Sequence, residues 1–185
     1  MMRVFLSVTA FALAVPAQAT VIDGSILQQN GSGAFVILDP EDILAVGEDN
    51  FNDDNLYAFD EDQNIELIEP VRVDIGGQNG VIPAGTVVAS HYVFFDSVAG
   101  TQFGFVYFDA PILGIAALEG TMAATDFLAN TDVIYIGTEL RGLEHGDTVW
   151  IDDKDPHRLF VSWAGSSPGD YIRVFTEKSP GALIM

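Results

Sequence analysis

The sequence predicts an all-β protein, a single-domain antiparallel β-sandwich of jelly-roll type with at most one or two short helices. Three observations lead there. Apolar residues make up 49% of the chain, too many for a disordered one. They fall in short runs rich in Val, Ile, Phe and Tyr. The 18 Gly and 8 Pro, with Asn and Asp, punctuate those runs at intervals that suit turns between strands.

The chain opens on MMRVFLSVTAFALAVPAQA, which predicts a secretory signal peptide over residues 1–19. Arg3 supplies the positive start, Val4 to Val15 is an apolar run too short to span a bilayer, and Ala17-Gln18-Ala19 is a small-x-small cleavage site. The sandwich is then expected over 20–185, in a protein that is secreted, held at the cell surface or periplasmic. Strands are expected at 34–38, 56–59, 65–68, 71–75, 86–95, 102–109, 112–118, 133–136, 148–151, 159–163 and 171–176, with a helix over 121–129. Asn30-Gly31 and Asn79-Gly80 supply residues that tolerate positive φ, and Pro83-Ala84-Gly85 presets a turn before the 86–95 strand. TVVASHYVFF and FGFVYF are apolar on both faces, so both faces of each should be covered. YIRVFT instead puts Ile172 and Val174 on one face and Arg173 on the other.

Seven Lys plus Arg stand against 27 Asp plus Glu, a net charge of −20, and loss of Arg3 with the signal adds one more negative charge. Such a surface repels nucleic acid and anionic lipid and attracts cations or basic partners. No stretch after the signal is apolar and long enough for a membrane-spanning helix. The absence of cysteine removes thiol nucleophiles, zinc–thiolate sites and disulfides, leaving bound metal as another available staple.

The acids concentrate in GEDNFNDDNLYAFDEDQN, Gly47 to Asn64, which holds seven carboxylates and four asparagines in eighteen residues. Hard divalent cations take several oxygens from a loop that can curl around them. Counted from Asn50, oxygen-bearing side chains fall at loop positions 1, 3 and 5 (Asn50, Asn52, Asp54), Leu56 offers a carbonyl at 7, and Glu61 stands at 12. Asn55 takes the position where calcium loops need a left-handed glycine. A second partial pattern, Asp60-x-Asp62-x-Asn64, follows. Metal ligation by Asn50, Asn52, Asp54, Leu56, Asp60, Glu61, Asp62 and Asn64, with Ca2+ as the cation, is one reading. An ordered solvated loop between strands is the other.

Other chemistry is sparsely signalled. His91 sits mid-strand among apolar residues and reads as a core histidine. His145 and His157 flank the 148–151 strand at opposite ends, too far apart for joint acid–base work. No G-x-S-x-G elbow and no Gly-rich phosphate loop occur. Trp150 and Trp163 lie on neighbouring strands, where they pack the core or stack a sugar ring.

With strands and loops placed, DNFNDDNLYAFDEDQN, GTVVASHYVFFD, FDAPILG, LRGLEHGD and SSPGDYIRVFT together resemble a group of bacterial exported proteins whose longer members end in a PEP-CTERM-type sorting tail. The resemblance implies export, surface or matrix association and a β-rich body, and carries no catalytic residue. Residues Lys178 to Met185 lack the Pro-containing motif, apolar helix and basic cluster of such a tail, so sorting by that route is not expected. The expected function is an exported acidic binding or structural module of the cell surface or extracellular matrix, calcium-dependent if the acidic loop ligates, with anionic polysaccharide or a basic surface protein as partner. The competing expectation is an extracellular polysaccharide-active enzyme using paired acids in a sandwich cleft.

Overall fold

A computed structural model describes residues 19–42 and 45–179. Residues 1–18, which hold all but the last residue of the expected signal peptide, lie outside the described residues, as do 180–185. In chain order the strands are β1 (Val21–Gln29), β2 (Phe35–Ile37), β3 (Ala45–Val46), β4 (Leu56–Asp60), β5 (Ile65–Glu66), β6 (Val71–Arg72), β7 (Ile75–Gly76), β8 (Val81–Ile82), β9 (Val87–Phe95), β10 (Gly100–Phe108), β11 (Ile112–Ala116), β12 (Ile134–Tyr135), β13 (Thr148–Asp152), β14 (Asp155–Gly165) and β15 (Asp170–Glu177). Helix α1 spans Glu119–Ala124 and a 3-10 turn follows at Asp126–Leu128.

Two sheets form the sandwich. The smaller has the order β1-β10-β14-β13, antiparallel throughout. The larger runs β2-β4-β9-β15-β11-β7, with β5 continuing the pairing on β9 beyond the end of β4. Its neighbours are antiparallel except β2 and β4, which run parallel. The parallel pair at that edge departs from the purely antiparallel expectation.

Side-chain alternation divides the apolar residues between two cores. Leu56, Ala58, Val93, Phe95, Ile172 and Val174 of the larger sheet meet Val106, Phe108, Val149, Leu159, Val161 and Trp163 of the smaller one. The opposite parity, Tyr57, Phe59, Tyr92, Phe94, Tyr171 and Phe175, forms a second core on the far side of the larger sheet. Leu67, Val71, Val73 and Ile82, with Met122, Leu128 and Val133 from α1 and the segment after it, cover that side. The larger sheet is thus buried on both faces, which is why β9 reads as an unbroken apolar run.

Two local expectations are corrected, and two features go beyond them. Among the described residues the smaller sheet has no such cover, so β10 alternates buried with half-buried residues rather than being enclosed on both faces. Arg173 lies on the face of β15 opposite Ile172 and Val174, as expected, and is fully buried there beside the second core. The helix is shorter and starts earlier than 121–129, because Asp74 binds the backbone N–H groups of Ala117 and Leu118 and the Thr121 hydroxyl at its start. Strand β1, with Asp23-Gly24-Ser25 at its middle, was not among the expected strands. In the fold it is a bulged edge strand on β10, and the register shifts flank those residues.

Candidate functional site

The eight residues singled out as cation ligands are not brought to one point. Asn50 donates its side-chain amide to the Ala45 carbonyl. Asn52 takes a left-handed backbone at φ 49°, whereas Asn55, expected in that conformation, does not; it precedes β4, and its side chain bridges the Ala34 N–H and the Tyr57 hydroxyl. Asp54 accepts from the Ser97 hydroxyl and the Ser32 N–H. Its carbonyl approaches Gly33 so closely that a Cβ there would lie 1.6 Å from the oxygen, so position 33 must be glycine. Leu56 is a fully buried strand residue in the inter-sheet core. Asp60 and Glu61 lie about 20 Å further along the extended chain than Asp54.

Asp60, Glu61 and Asp62 are consecutive, and strand alternation sends them to different partners. The Asp60 carboxylate accepts from the Val21 N–H and from His91 Nδ1, at 2.9 and 2.7 Å. Asp62 exchanges backbone contacts with Ser90 and caps its own turn at Gln63. Asn64 closes that turn with φ 58°. Glu61 points into the second core and grips Arg173 with both oxygens, at 2.6 and 2.9 Å. Tyr135 donates its hydroxyl to Glu61 as well, and Arg173 also binds the Thr125 hydroxyl and Asp126. Asp126 in turn holds Arg141 through two parallel bonds of 2.8 Å. Burial opposes charge on Asp126, yet the guanidiniums of Arg141 and Arg173 hold its carboxyl below the usual range. Burial, the Glu61 charge and the Glu61 hydrogen bond push the Tyr135 phenol far up, so it stays a donor.

The acidic stretch is therefore an ordered segment whose polar atoms mostly serve the fold. Asp53 accepts from Tyr57 at 2.6 Å; burial first and this contact second raise the Tyr57 phenol to about 12. Asp96, from the loop after β9, accepts from the Phe51 N–H and the Tyr171 hydroxyl and ties the segment to β9 and β15. Among the described residues no three carboxylate or histidine side chains already form a cation cage. His91 is buried, with Nε2 at 2.9 Å from the Thr176 hydroxyl, so its partners are side chains on either side of β9. His145 and His157 lie towards opposite ends of β13, as the register predicts.

A different surface stands out. The outer face of the four-stranded sheet carries Phe103 and Phe105 from β10, Trp150 from β13 and Phe160 from β14. Trp150 lies 5.3 Å from Phe160 at 21° between planes, and Phe103 lies 5.9 Å from Phe160 at 15°. Nearly parallel rings at these separations are offset-stacked, and the pile crosses three strands. Arg158 sets its guanidinium 5.0 Å from the Phe160 ring and is itself paired with Asp152. Tyr107 donates to Asp155 beside it. Trp150, on the edge strand, is 39% exposed. Trp163 has the opposite parity on β14 and is buried, so the two tryptophans do not form a shared platform.

The sequence carried a signal for this face. Trp150 alternates with Val149 and Ile151 and so shares its side of β13 with Thr148 and Asp152, residues that belong in water. Phe160 likewise falls between Arg158 and Ser162. A larger concavity of about 940 Å³ lies between the β6–β8 hairpin and α1, lined by Val71, Val73, Leu118 and Phe127. The Asp74 carboxylate on its wall is engaged in holding the start of α1, whereas the aromatic face keeps polar groups interleaved with free ring surface. No protein-family model matches the chain, and no curated protein or solved structure matches it either.

Proposed function

We propose that this chain is an exported binding module of the cell surface or extracellular matrix that holds polysaccharide on the outer face of its four-stranded sheet. The observation that carries this reading is the pile of Trp150, Phe160 and Phe103, stacked across three strands with Trp150 exposed and the two phenylalanines half-buried. A pyranose ring presents a face of C–H bonds that packs on an aromatic ring, and its hydroxyls reach for polar groups at the rim. Arg158, Asp152, Asp155, Ser162 and the Tyr107 hydroxyl supply that rim.

Stacking does not depend on net charge, so it operates on a chain of net charge −20. An anionic polysaccharide is held only where cations screen or bridge the two. The signal-like start and the resemblance to exported proteins support the location.

The test is binding of the protein to a panel of neutral and anionic polysaccharides by affinity electrophoresis and calorimetry. Wild-type protein is expected to be retarded by at least one of them, with a change in tryptophan fluorescence. Retardation by none, or no loss in Trp150→Ala, would remove the reading.

A further inference from the structure

The two ends of the described chain meet at one carboxylate. Asp109 is half-buried in the loop between β10 and β11. It accepts the Thr20 N–H on Oδ1 and the Ser179 hydroxyl on Oδ2, each at 2.9 Å. Its own N–H returns to the Thr20 carbonyl at 3.0 Å, so Thr20 is gripped from both sides just ahead of β1. The next N–H, that of Val21, goes to Asp60 at 2.9 Å. Ala19 is fully buried in a cluster with Ala89 and Ala110. Both donors to the Asp109 carboxylate are neutral. Among the described residues no arginine, lysine or histidine side chain forms an ion pair with it.

We propose that hydrolysis of the Ala19–Thr20 bond, the cleavage point expected from the sequence, supplies the missing cation: the new α-ammonium of Thr20 becomes the ion-pair partner of Asp109. Water adds its oxygen to the Ala19 carbonyl carbon as the C–N bond breaks. Ala19 leaves as a carboxylate, and the two protons of that water go to the Thr20 nitrogen, which is an ammonium at neutral pH. That nitrogen already sits 2.9 Å from Asp109 Oδ1, so β1 need not move. The donor changes from neutral amide to cation, and a charge-assisted hydrogen bond is roughly twice as strong as a neutral one. Processing takes one methyl from the contact with Ala89 and Ala110, and it places a positive charge on a half-buried acid in a chain of net charge −20. The burial of Ala19 also sets the order of events, because a peptidase must reach the bond before this end of the sandwich closes. The inference rests on the exported location in the proposed function and extends it: the processed chain, rather than its precursor, reaches the full stability of the fold.

The test compares two chains released from the same cleavable tag, one starting at Thr20 and one at Ala17, each as wild type and as Asp109→Asn. Thermal melting is followed from about pH 6 to about pH 10, across the ordinary α-amino value of about 8. At the acidic end Asp109→Asn is expected to lower the melting temperature of the Thr20 chain by several degrees more than that of the Ala17 chain. Pairing raises the ammonium's pKa, so its contribution is whole below the ordinary value and is lost as pH rises through the raised one. The excess should therefore vanish at the alkaline end. The other ionisable groups near this end are Asp60 and His91 beside Val21, His157 on the Phe108 carbonyl, and Lys178 next to Ser179. They are common to both chains and cancel in the comparison. Should Asp109→Asn not fold, the melting difference between the two wild-type chains must show the same loss with rising pH. Equal losses in the two chains, or an excess that persists at alkaline pH, would overturn the proposal. Mass spectrometry of the protein exported by a bacterial host should give Thr20 as its first residue, and any other first residue would overturn it as well. No step uses a polysaccharide, so failure here leaves the stacking surface untouched, and an exported chain that binds no polysaccharide removes the glycan reading alone.

Discussion

The outer faces of the two sheets contain similar aromatic material and meet opposite fates. On the larger sheet Tyr57 stacks on Phe94 at 4.9 Å, Phe94 on Tyr171 at 5.9 Å, and Phe59 tilts against Tyr92 at 5.4 Å. A helix, a hairpin and several loops seal that cluster, and the ion pair of Glu61 with Arg173 is sealed in with it. On the smaller sheet Phe103, Trp150 and Phe160 also stack, but they belong to no buried core among the described residues, and the Arg158 guanidinium lies over Phe160. A chain that builds so much cover for one aromatic face has the means to cover the other. The contrast separates aromatics that hold the fold together from aromatics available to a ligand, and mutation should separate them too.

The largest effects should come from the covered side. Glu61→Ala leaves Arg173 buried without its bidentate partner, and a loss of about 3–5 kcal/mol is expected in denaturant unfolding. Phe94→Ala removes the ring shared by Phe51, Tyr57 and Tyr171 and should cost a similar amount, about 3–5 kcal/mol, from the cavity it leaves. Either variant retaining wild-type stability would show that the second core is not the structural half of the molecule.

An intermediate effect is expected at Asp170, and it depends on pH. Its carboxyl titrates near 9 in the folded chain, above the ordinary value of about 3.9 in the unfolded one. The folded state therefore holds the extra proton. The stability this group contributes is fully present below about pH 4 and is lost as pH rises towards 9. The difference in stability between wild type and Asp170→Asn, measured in calcium-free buffer, should fall across that window. A difference independent of pH would place the proton elsewhere.

The smallest effect on stability belongs to the uncovered side. Trp150→Ala and Phe103→Ala should change unfolding free energy by no more than about 1 kcal/mol, because water already reaches these rings. A loss as large as that of Phe94→Ala would mark the pile as a third core rather than a binding face.

The sandwich was legible where alternation and turn chemistry agree, as in the two-face apolar run of β9 and the Asn79-Gly80 turn. It was not legible where tertiary pairing overrides local pattern. Nothing in YIRVFT shows that Arg173 is buried, because the glutamate that neutralises it lies 112 positions away. Strand β1 escapes notice because Gly24 and its polar neighbours form a strand only through pairing with β10. Acid density drew attention to Gly47 to Asn64, yet most carboxylates there already accept hydrogen bonds. Trp150 and Trp163 look equivalent in sequence until the parity of their strands is counted.

The central claim is that the uncovered aromatic face is a polysaccharide-binding surface, and one measurement addresses it most directly. Wild type, Trp150→Ala and Phe160→Ala should be titrated with the polysaccharide that retards the wild type, with melting temperatures recorded on the same samples. The account predicts that each substitution weakens binding by roughly 30-fold or more, the loss of about 2 kcal/mol typical of an anchoring aromatic, while Trp150→Ala melts within a few degrees of wild type. Equal affinity in wild type and Trp150→Ala, or the absence of any retarding polysaccharide, would contradict it.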